Sequence, residues 1–436
     1  MIEISGGRIR RRDKRIWFVM LGVFAAVFLF TFLSSYHKAT NDDVNAASLD
    51  NFDPGFIISD WQMSNYNSMS EAEIQAFLTA KNPCSNTDYN TYVWQKNAYP
   101  NINWHFENGH FICISEERFG DGEVIGSGDT AAHIIWQAAQ DYKINPKVII
   151  VLLQKEQGLI TDSWPNDRQY RSATGYGCPD TAPCSSQYYG FKNQVRKAAA
   201  LFRTVLDGGW TNYPLGNNYI QYNPNAGCGG SVVNIRSLAT SALYRYTPYQ
   251  PNAGALAAGY GTAPCGAYGN RNFYLYYQDW FGGITDEVAR EAETEIREKY
   301  ERFKGRLGNP VGTIDCSLKD GACKQEYANG AIIYSQNNGT FETYGEIYNR
   351  YKALDSYNGI LGFPITGINC DNKLNCYQIF EGSTLLGDSN YKTWFSDASV
   401  ARKYIEMAST LGAPVANAEC TLTGCIQRFR NGILTR

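Results

Sequence analysis

The sequence has little histidine and almost no net charge. Its four histidines are spread over 436 residues, and no two of them stand four residues apart on a predicted helix, the spacing that presents a pair of metal ligands. It contains no motif of a Ser-His-Asp triad. The formal net charge of −3, without interleaved basic and aromatic residues, gives no basis for binding nucleic acid. These absences argue against metal hydrolysis, triad chemistry and a nucleic-acid partner, and we expect no cofactor.

The residues that are abundant indicate a folded, exported protein. Hydrophobic residues make up 44% of the chain and aromatic residues 14%, enough for the cores of two or three domains. The 12 cysteines form an even set and mostly stand in closely spaced pairs. Such pairs favour disulfides formed in an oxidising compartment.

The N-terminus predicts how the chain is held. Six basic residues between Arg8 and Arg15 precede Ile16–Leu33, a run of 18 residues without charge. A run of this length comes close to spanning a bilayer, and the positive-inside rule keeps residues 1–15 in the cytoplasm. We therefore expect a transmembrane helix at 16–33, a polar tether at 34–51 and an extracytoplasmic remainder. A cleaved signal peptide is the alternative.

One apolar helix is the centre of the next region. Asn145 is a good N-cap, Pro146 suits the first helical position, and Gly158 ends the helix. The residues from Val148 to Leu153 are all apolar, which predicts burial on nearly every side. Glu156 lies one turn beyond Leu152 and Leu153 on their face. Apolar neighbours and the negative end of the helix dipole favour a protonated carboxyl there, as a general acid requires. A side chain that escapes to solvent past Gly158 is the alternative.

Further helices are predicted around this one, together with a long loop. The helical patterns cover residues 70–81, 130–142, 190–206, 231–246 and 272–281, so we predict a helix-on-helix domain at 52–284. The loop after the central helix runs from Leu159 to Ser186, a length that is uncommon unless it is functional. Aromatic residues in and beside it would suit a glycan: Trp164, Tyr170, Tyr176, Tyr188 and Tyr189. Ordinary packing remains the alternative for each tyrosine.

A threefold repeat follows a connecting helix at 285–306. The motifs LGNPVG, LGFPIT and LGAPVA begin at Leu307, Leu361 and Leu411. Each is followed by two cysteines, a glutamine and an aromatic residue, which predicts a small hairpin closed by a local disulfide. The third unit ends at Arg436 without a following helix, so 307–436 is interpreted as three repeats, the last incomplete. The predicted local pairs are Cys316–Cys323, Cys370–Cys376, Cys420–Cys425 and Cys178–Cys184, and elimination leaves Cys84–Cys113 and Cys228–Cys265.

The motifs also carry a resemblance to a known family. KVIIVLLQKEQGLITDSWP, YRSATGYGCPDTAPC, YNPNAGCG and YGNRNFYLYYQDWF resemble the lysozyme-like domain of bacterial, haemagglutinin-like surface proteins with LGFP repeats. The central part more weakly resembles goose-type lysozymes and lytic transglycosylases, whose lone catalytic glutamate matches Glu156. Gln157 departs from their usual serine, and Ser172–Gly177 only loosely matches their glycine-rich segment. The resemblance implies a mainly α lysozyme-like fold followed by small β-rich, disulfide-closed repeats that attach to the cell wall.

Two functions are consistent with these patterns. The first is a single-pass protein of the bacterial cell membrane that hydrolyses a wall glycan, of muramidase or lytic transglycosylase type, with peptidoglycan or another wall glycan as its partner. The second is a non-catalytic surface adhesion or carbohydrate-binding protein. A second carboxylate would favour catalysis. Asp162, Asp167 and Asp180 follow the central helix, but their spacing cannot show whether one of them faces Glu156.

Overall fold

The computed structural model describes residues 48–436 apart from 180–181, 285, 371–375, 388–391 and 422, and without the side chains of residues 398 and 408. The predicted transmembrane segment Ile16–Leu33 and all but the end of the tether lie outside the described residues. Among the residues described, no helix is both long enough and apolar enough to cross a membrane.

The first part of the described chain, 49–284, is mostly helical, and we call it the helical region. Its helices, labelled α1 to α10 in chain order, are Asp60–Ser64, Glu71–Lys81, Tyr89–Ala98, Ala131–Tyr142, Pro146–Gln157, Asp167–Arg171, Phe191–Leu206, Leu238–Tyr246, Ala253–Ala257 and Gly269–Phe281. Its strands, β1 to β6, are Phe106–Glu107, His110–Phe111, Arg118–Phe119, Asp129–Thr130, Gly216–Gln221 and Gly230–Ile235. The strands pair as three antiparallel two-stranded sheets: β1 with β2, β3 with β4, and β5 with β6.

The central helix α5 forms as its sequence predicts. The Asn145 side chain caps its first turn by accepting a hydrogen bond from the Lys147 N–H, and Gly158 ends it in the left-handed conformation with φ of 67°. Every residue from Val148 to Leu153 is fully buried. Helix α5 packs against α10, α4 and α7. The prediction of a helix buried on nearly all sides is confirmed.

Other expectations for the helical region need correction. The predicted helix at 231–246 begins only at Leu238, because Gly230–Ile235 pairs as strand β6 with β5 in an antiparallel hairpin. Val233 and Ile235 point inward while Val232 and Asn234 are exposed, the alternation of a strand rather than of a helix. The segment 86–123, where no helix was predicted, contains helix α3 as well as the short strands β1, β2 and β3. Most of the buried apolar side chains between Ile57 and Ile284 form one continuous core.

The second part of the described chain contains the repeats. Helices α11 to α13 are Glu287–Leu307, Gly345–Ala353 and Ala398–Leu411. Strands β7 to β17 are Pro310–Asp315, Cys323–Tyr327, Gly330–Ser335, Gly339–Tyr344, Asn369–Cys370, Cys376–Ile379, Thr384–Gly387, Thr393–Ser396, Glu419–Thr421, Gly424–Phe429 and Gly432–Thr435. They form antiparallel meanders in chain order, with four strands in each of the first two units and three in the third.

The three units share their packing in detail. In each, a tyrosine from the preceding helix stacks on an aromatic residue that ends the second strand or directly follows it. The ring centroids are 4.7 Å apart for Tyr300 on Tyr327, Tyr351 on Phe380 and Tyr404 on Phe429. The motif leucine accepts a backbone hydrogen bond of 2.8–2.9 Å from the turn after that strand. The predicted hairpins with an inward-facing aromatic residue are therefore confirmed.

All 12 cysteines are paired as predicted. The four local disulfides are Cys178–Cys184, Cys316–Cys323, Cys370–Cys376 and Cys420–Cys425. The two pairs reached by elimination, Cys84–Cys113 and Cys228–Cys265, are also present. The two long pairs join segments of the helical region that lie 29 and 37 residues apart, whereas the local pairs in the repeats each close one hairpin.

Candidate functional site

The carboxylate of Glu156 lies at the C-terminal end of α5, beside a loop. Its side chain is 26% exposed, and its Oε1 lies 2.9 Å from Nζ of Lys155. Sequence reasoning placed it on the apolar face of Leu152 and Leu153. The structure instead gives it a cationic partner and partial access to solvent, because the helix ends at Gly158 and leaves the last turn at the edge of the core.

Lys155 is held firmly although it carries a charge. Its side chain is 3% exposed, and its ammonium group donates to Oγ1 of Thr247 at 2.6 Å as well as contacting Glu156. The same ammonium lies 5.5 Å from the centre of the Tyr246 ring. A buried ammonium with a carboxylate, a hydroxyl and an aromatic face around it is well compensated. Lys155 therefore fixes the position of the Glu156 side chain.

Tyr246 connects this pair to the following loop. Its hydroxyl donates to the carbonyl oxygen of Thr174 at 2.6 Å. Burial raises the pKa of Tyr246 well above its ordinary value, and the nearby negative charge of Glu156 adds to the effect. The phenol therefore stays protonated and keeps donating to Thr174. This bond holds the backbone of the loop next to Glu156.

The loop reaches the carboxylate through a glycine. Gly175 has φ of 73°, and a Cβ atom built on it would lie 2.9 Å from Oε2 of Glu156. Any larger residue would be strained in this conformation and would push against the carboxylate. Oε1 of Gln194, a fully buried residue of α7, accepts from the N–H groups of Thr174 and Tyr176 at 3.2 and 3.0 Å. Its Nε2 donates to the carbonyl oxygens of Tyr176 and Tyr188 at 2.9 and 2.8 Å. A single side chain thus sets the shape of the loop.

The predicted glycan-contacting aromatics occupy different environments. Tyr176 and Tyr188 are half-buried and meet edge to face at 4.9 Å on the loop that Gln194 holds. Tyr189 is half-buried, with the guanidinium of Arg171 over its ring at 4.8 Å. Trp164 is 39% exposed and contacts Phe111 edge to face.

Tyr170 does not fit the prediction of a glycan contact. It is 2% exposed and packs edge to face on Phe119 and Phe191. Tyr170 belongs to the second half of the short helix α6, whose inward face closes the core. Its ring is therefore part of the apolar core, and we assign it no contact with a ligand.

The candidates for a second carboxylate are held by other partners. Asp162 accepts from the N–H of Trp164 at 3.0 Å and from Nε2 of Gln169 at 2.7 Å. Asp167, the first residue of α6, accepts hydrogen bonds from the backbone N–H and the side-chain amide of Asn103. Asp180 lies outside the described residues. Gln169 also donates to the carbonyl oxygen of Gln157, which ties the Asp162 segment to the end of the central helix.

Within the described ranges, the side chains that could share a metal ion form a single group, Asp397 with Cys420 and Cys425. These two cysteines are joined in a disulfide, so neither can supply a thiolate. The donor set at this position therefore does not fit a metal site.

Sequence reasoning missed the residues that build the site around Glu156. Lys155, Tyr246 and Gln194 come from three helices, and only the packing of α5, α7 and α8 brings them together. A lysine directly before the glutamate in an otherwise apolar helix was the available signal for Lys155. The glycine-rich segment 172–177 was the signal for Gly175, because glycine is favoured where backbone must approach another group closely.

Comparison with known families finds two partial matches. A family model described as the LasA N-terminal domain matches residues 56–208, which include α5 and the loop beside Glu156. A family model described as the LGFP repeat matches residues 307–359, the first repeat together with the helix that follows it. No curated protein matches the chain. The two matches support a bacterial surface protein with LGFP repeats and a cell-wall-related domain in its helical region.

Proposed function

We propose that this protein is a cell-wall hydrolase that cleaves the glycan strand of peptidoglycan, with Glu156 as the proton donor. The observation that carries the proposal is the carboxylate of Glu156, fixed at the end of a buried helix between the ammonium of Lys155 and the backbone of Gly175. A general acid must be held at one position beside the bond that it protonates.

The chemistry assigns separate roles to the two charged groups. Glu156 gives its proton to the glycosidic oxygen as the bond to the sugar carbon breaks. Its carboxylate then carries a negative charge that Lys155 stabilises at 2.9 Å. The acetamido oxygen of an N-acetyl sugar can attack the sugar carbon of the glycosidic bond as that bond breaks. This attack takes the place of a second protein carboxylate. This route suits a site where Asp162 and Asp167 already have other partners.

The loop held by Gln194 is the proposed sugar platform. Tyr176 and Tyr188 present aromatic surface to the apolar face of a sugar ring, while nearby backbone groups can bond its hydroxyls. Tyr189 and Trp164 are further proposed contacts, since both retain exposed surface. The repeats at 307–436 are proposed to hold the enzyme on the wall, and their family match supports a surface-binding role.

The proposed location follows from the N-terminus and the cysteines. A helix at 16–33 would anchor the chain in the cell membrane and place everything after it outside the cytoplasm. Six disulfides that use all 12 cysteines are expected of a domain folded in an oxidising compartment. Protease protection of residues 1–15 in intact cells, with cleavage of the rest from outside, is the expected result. A mature N-terminus beyond Ser34 would contradict the anchor.

A peptidase is the second candidate, because the LasA match supports hydrolysis of the cell wall and favours a peptidase over a glycosidase. Glu156 would then activate water against an amide carbon instead of protonating a glycosidic oxygen. The candidates differ in the new end that each cut creates. A glycan cut releases a reducing or anhydro sugar end, whereas a peptide cut releases a free amine.

Digestion of purified peptidoglycan by the full chain, followed by mass analysis of the fragments, tests the proposal. We expect shortened glycan strands with intact peptides from the wild type, and a large loss of this digestion in Glu156→Gln. Fragments with new free amines and intact glycan strands would show that the protein is a peptidase and not a glycosidase. A folded chain that leaves both kinds of bond intact would favour the adhesion protein.

A further inference from the structure

Helix α3 carries large aromatic side chains on its surface instead of in the core. Gln95 is its one buried residue. Tyr89 and Trp94 are each 59% exposed, and Tyr99, which directly follows the helix, is 48% exposed. Large exposed rings that stand together on a surface are a sign of a binding site, because folding alone gives no reason to leave them in water.

A second layer of rings lies beneath the helix and holds it in place. The half-buried Tyr92 stacks on Phe106 of β1 with 4.9 Å between ring centroids, and Phe106 meets the buried Phe111 of β2 edge to face at 5.2 Å. The disulfide Cys84–Cys113 joins the segment before α3 to the segment after β2. Packing therefore accounts for these inner rings and fixes the helix, whereas it does not account for the exposed rings.

The exposed face of α3 combines an aromatic ring with amide groups. Asn90, Trp94 and Asn97 stand at positions i, i+4 and i+7, so they share one face of the helix, and all three are exposed. The ring of Tyr99 lies 6.2 Å from that of Trp94, at an interplanar angle of 85°. A sugar ring has an apolar C–H face and polar hydroxyls, so a flat ring flanked by amides can bind both of its sides.

Charged groups are scarce on this segment. Residues 86–104 contain only Asp88 and Lys96 as charged side chains. Asp88 caps α3 by accepting from the N–H of Thr91 at 3.0 Å, and the ammonium of Lys96 lies 5.7 Å from the centre of the Tyr92 ring. A helix that lies on an anionic membrane presents many lysines and arginines beside its apolar residues. The composition of α3 therefore favours a neutral ligand rich in hydroxyls over a lipid surface.

The surface of α3 continues into the loop after α5. Asn103 donates to Asp167 from its backbone N–H at 3.0 Å and from its side-chain amide at 3.1 Å, which joins the segment after α3 to the start of α6. Trp164, a proposed sugar contact that is 39% exposed, meets Phe111 edge to face at 6.4 Å. Trp164 and the exposed rings of α3 are thus supported by the same inner layer of rings, which suits a ligand that is a chain of sugars.

We propose that the exposed face of α3 binds a neutral glycan chain, with Trp94 and Tyr99 as its main contacts. The ring of Trp94 stacks on the apolar face of one sugar, and Asn90 and Asn97 bond the hydroxyl or acetamido groups of that sugar. Tyr99 contacts a neighbouring sugar of the same chain. This surface gives the helical region its own attachment to glycan, and binding there does not depend on whether Glu156 acts as an acid.

Titration calorimetry of the full chain with hexa-N-acetylchitohexaose tests the surface, and hydroxyl-radical footprinting locates the bound sugar. We expect the sugar to protect Trp94 and Tyr99 from oxidation. Trp94→Ala should weaken the binding about 10-fold, since a ring at the centre of a contact contributes much of its affinity. The same loss is expected when Glu156→Gln is also present, so the result is independent of hydrolysis.

Two variants serve as controls. Trp210→Ala is the matched control, because Trp210 is 67% exposed but lies between α7 and β5, with the guanidinium of Arg245 over its ring at 5.1 Å. It should bind the sugar as the wild type does. Trp94→Phe keeps an aromatic plane at the same position and should retain most of the affinity that Trp94→Ala loses.

Three results would overturn the proposal. One is that the folded chain does not bind hexa-N-acetylchitohexaose. Another is that the bound sugar leaves Trp94 and Tyr99 as open to oxidation as before, and the third is equal affinity of the wild type and Trp94→Ala. Binding to phosphatidylglycerol vesicles that Trp94→Ala abolishes, with unchanged affinity for the sugar, would assign the surface to a membrane instead.

Discussion

The helical region and the repeats are stabilised in different ways. The helical region has one continuous core, and its two long disulfides join cysteines 29 and 37 residues apart. Each repeat has a small core closed by a disulfide that spans 5 to 7 residues, and a buried glutamine joins the second and third repeats to the strand before them. A large core can support a charged site at its edge, as at Lys155 and Glu156. Small units instead use their buried polar groups to join their neighbours.

Substitution of Glu156 should have the largest consequence, and it distinguishes hydrolysis of peptidoglycan from attachment to the wall. Glu156→Gln keeps the shape of the side chain and removes the proton donor, so turnover of peptidoglycan should fall roughly 10²–10⁴-fold while wall binding through the repeats persists. Product release and sedimentation with purified walls measure the two properties. Glu298→Gln, an exposed change on α11, is the control for loss of a carboxylate. Wild-type turnover by a folded Glu156→Gln chain would show that another group is the acid.

Deletion of the repeats should remove attachment to the wall and leave the hydrolytic activity. A chain ending at Ile284 should lose roughly 10²-fold in retention on walls, since linked weak sites gain avidity together. Its turnover of soluble wall fragments should remain, because Lys155 and Gly175, which lie beside Glu156, and Thr247, which holds Lys155, all precede residue 285. Sedimentation with walls and fragment release in solution are the measurements. Unchanged sedimentation would remove the attachment role from the repeats.

A smaller effect is expected where the loop meets Glu156. Gly175→Ala adds a methyl group 2.9 Å from Oε2 of Glu156 and strains a backbone with φ of 73°, so we expect kcat to fall about 10-fold. Gly122→Ala is the matched control: its φ is 68°, but its added methyl group would meet nothing within 4 Å. Both variants should lose about 1 kcal/mol of stability from backbone strain. An equal loss of activity in both would show that Gly175 does not position the carboxylate.

The smallest expected effect concerns stability at the junction between the two regions. Burial raises the pKa of Glu293 well above 4.5, and the charge of Asp60 raises it further. A raised carboxyl pKa means that the folded state binds more protons than the unfolded state. The stability that this proton contributes is therefore present below pH 4.5 and is lost as the pH rises through the folded pKa.

Glu293→Gln removes this penalty. Relative to wild type, the variant should gain stability progressively above pH 4.5 and be about 1–3 kcal/mol more stable at neutral pH. Denaturant unfolding of both chains across this pH range is the measurement, with the exposed Glu298→Gln again as the control. A difference between variant and wild type that stays constant with pH would contradict the titration of Glu293.

Local patterns in the sequence determined much of the fold. The capping box of Ser70 and Glu73, and the cap and stop of α5 at Asn145 and Gly158, are decided by side chains within a few residues, so they were predictable. The same holds for the local disulfides, because short loops allow few other pairings. The hairpin β5–β6 was missed because its residues pair across a turn, and a short apolar run at 231–246 fits a helix equally well.

Residues close together in the sequence were enough to predict that Glu156 ends a buried helix and that three disulfide-closed units follow. Only tertiary packing brings Thr247 and Tyr246 to the ammonium of Lys155 and places Tyr170 in the core instead of in a cleft. The same packing bonds Gln378 and Gln427 to the strand before their repeats, whereas Gln325 bonds within its own hairpin. The physical reason is the distance in sequence between the residues that interact. Caps, turns and short disulfides depend on neighbours in sequence, whereas a site depends on side chains brought together by the packing of distant helices.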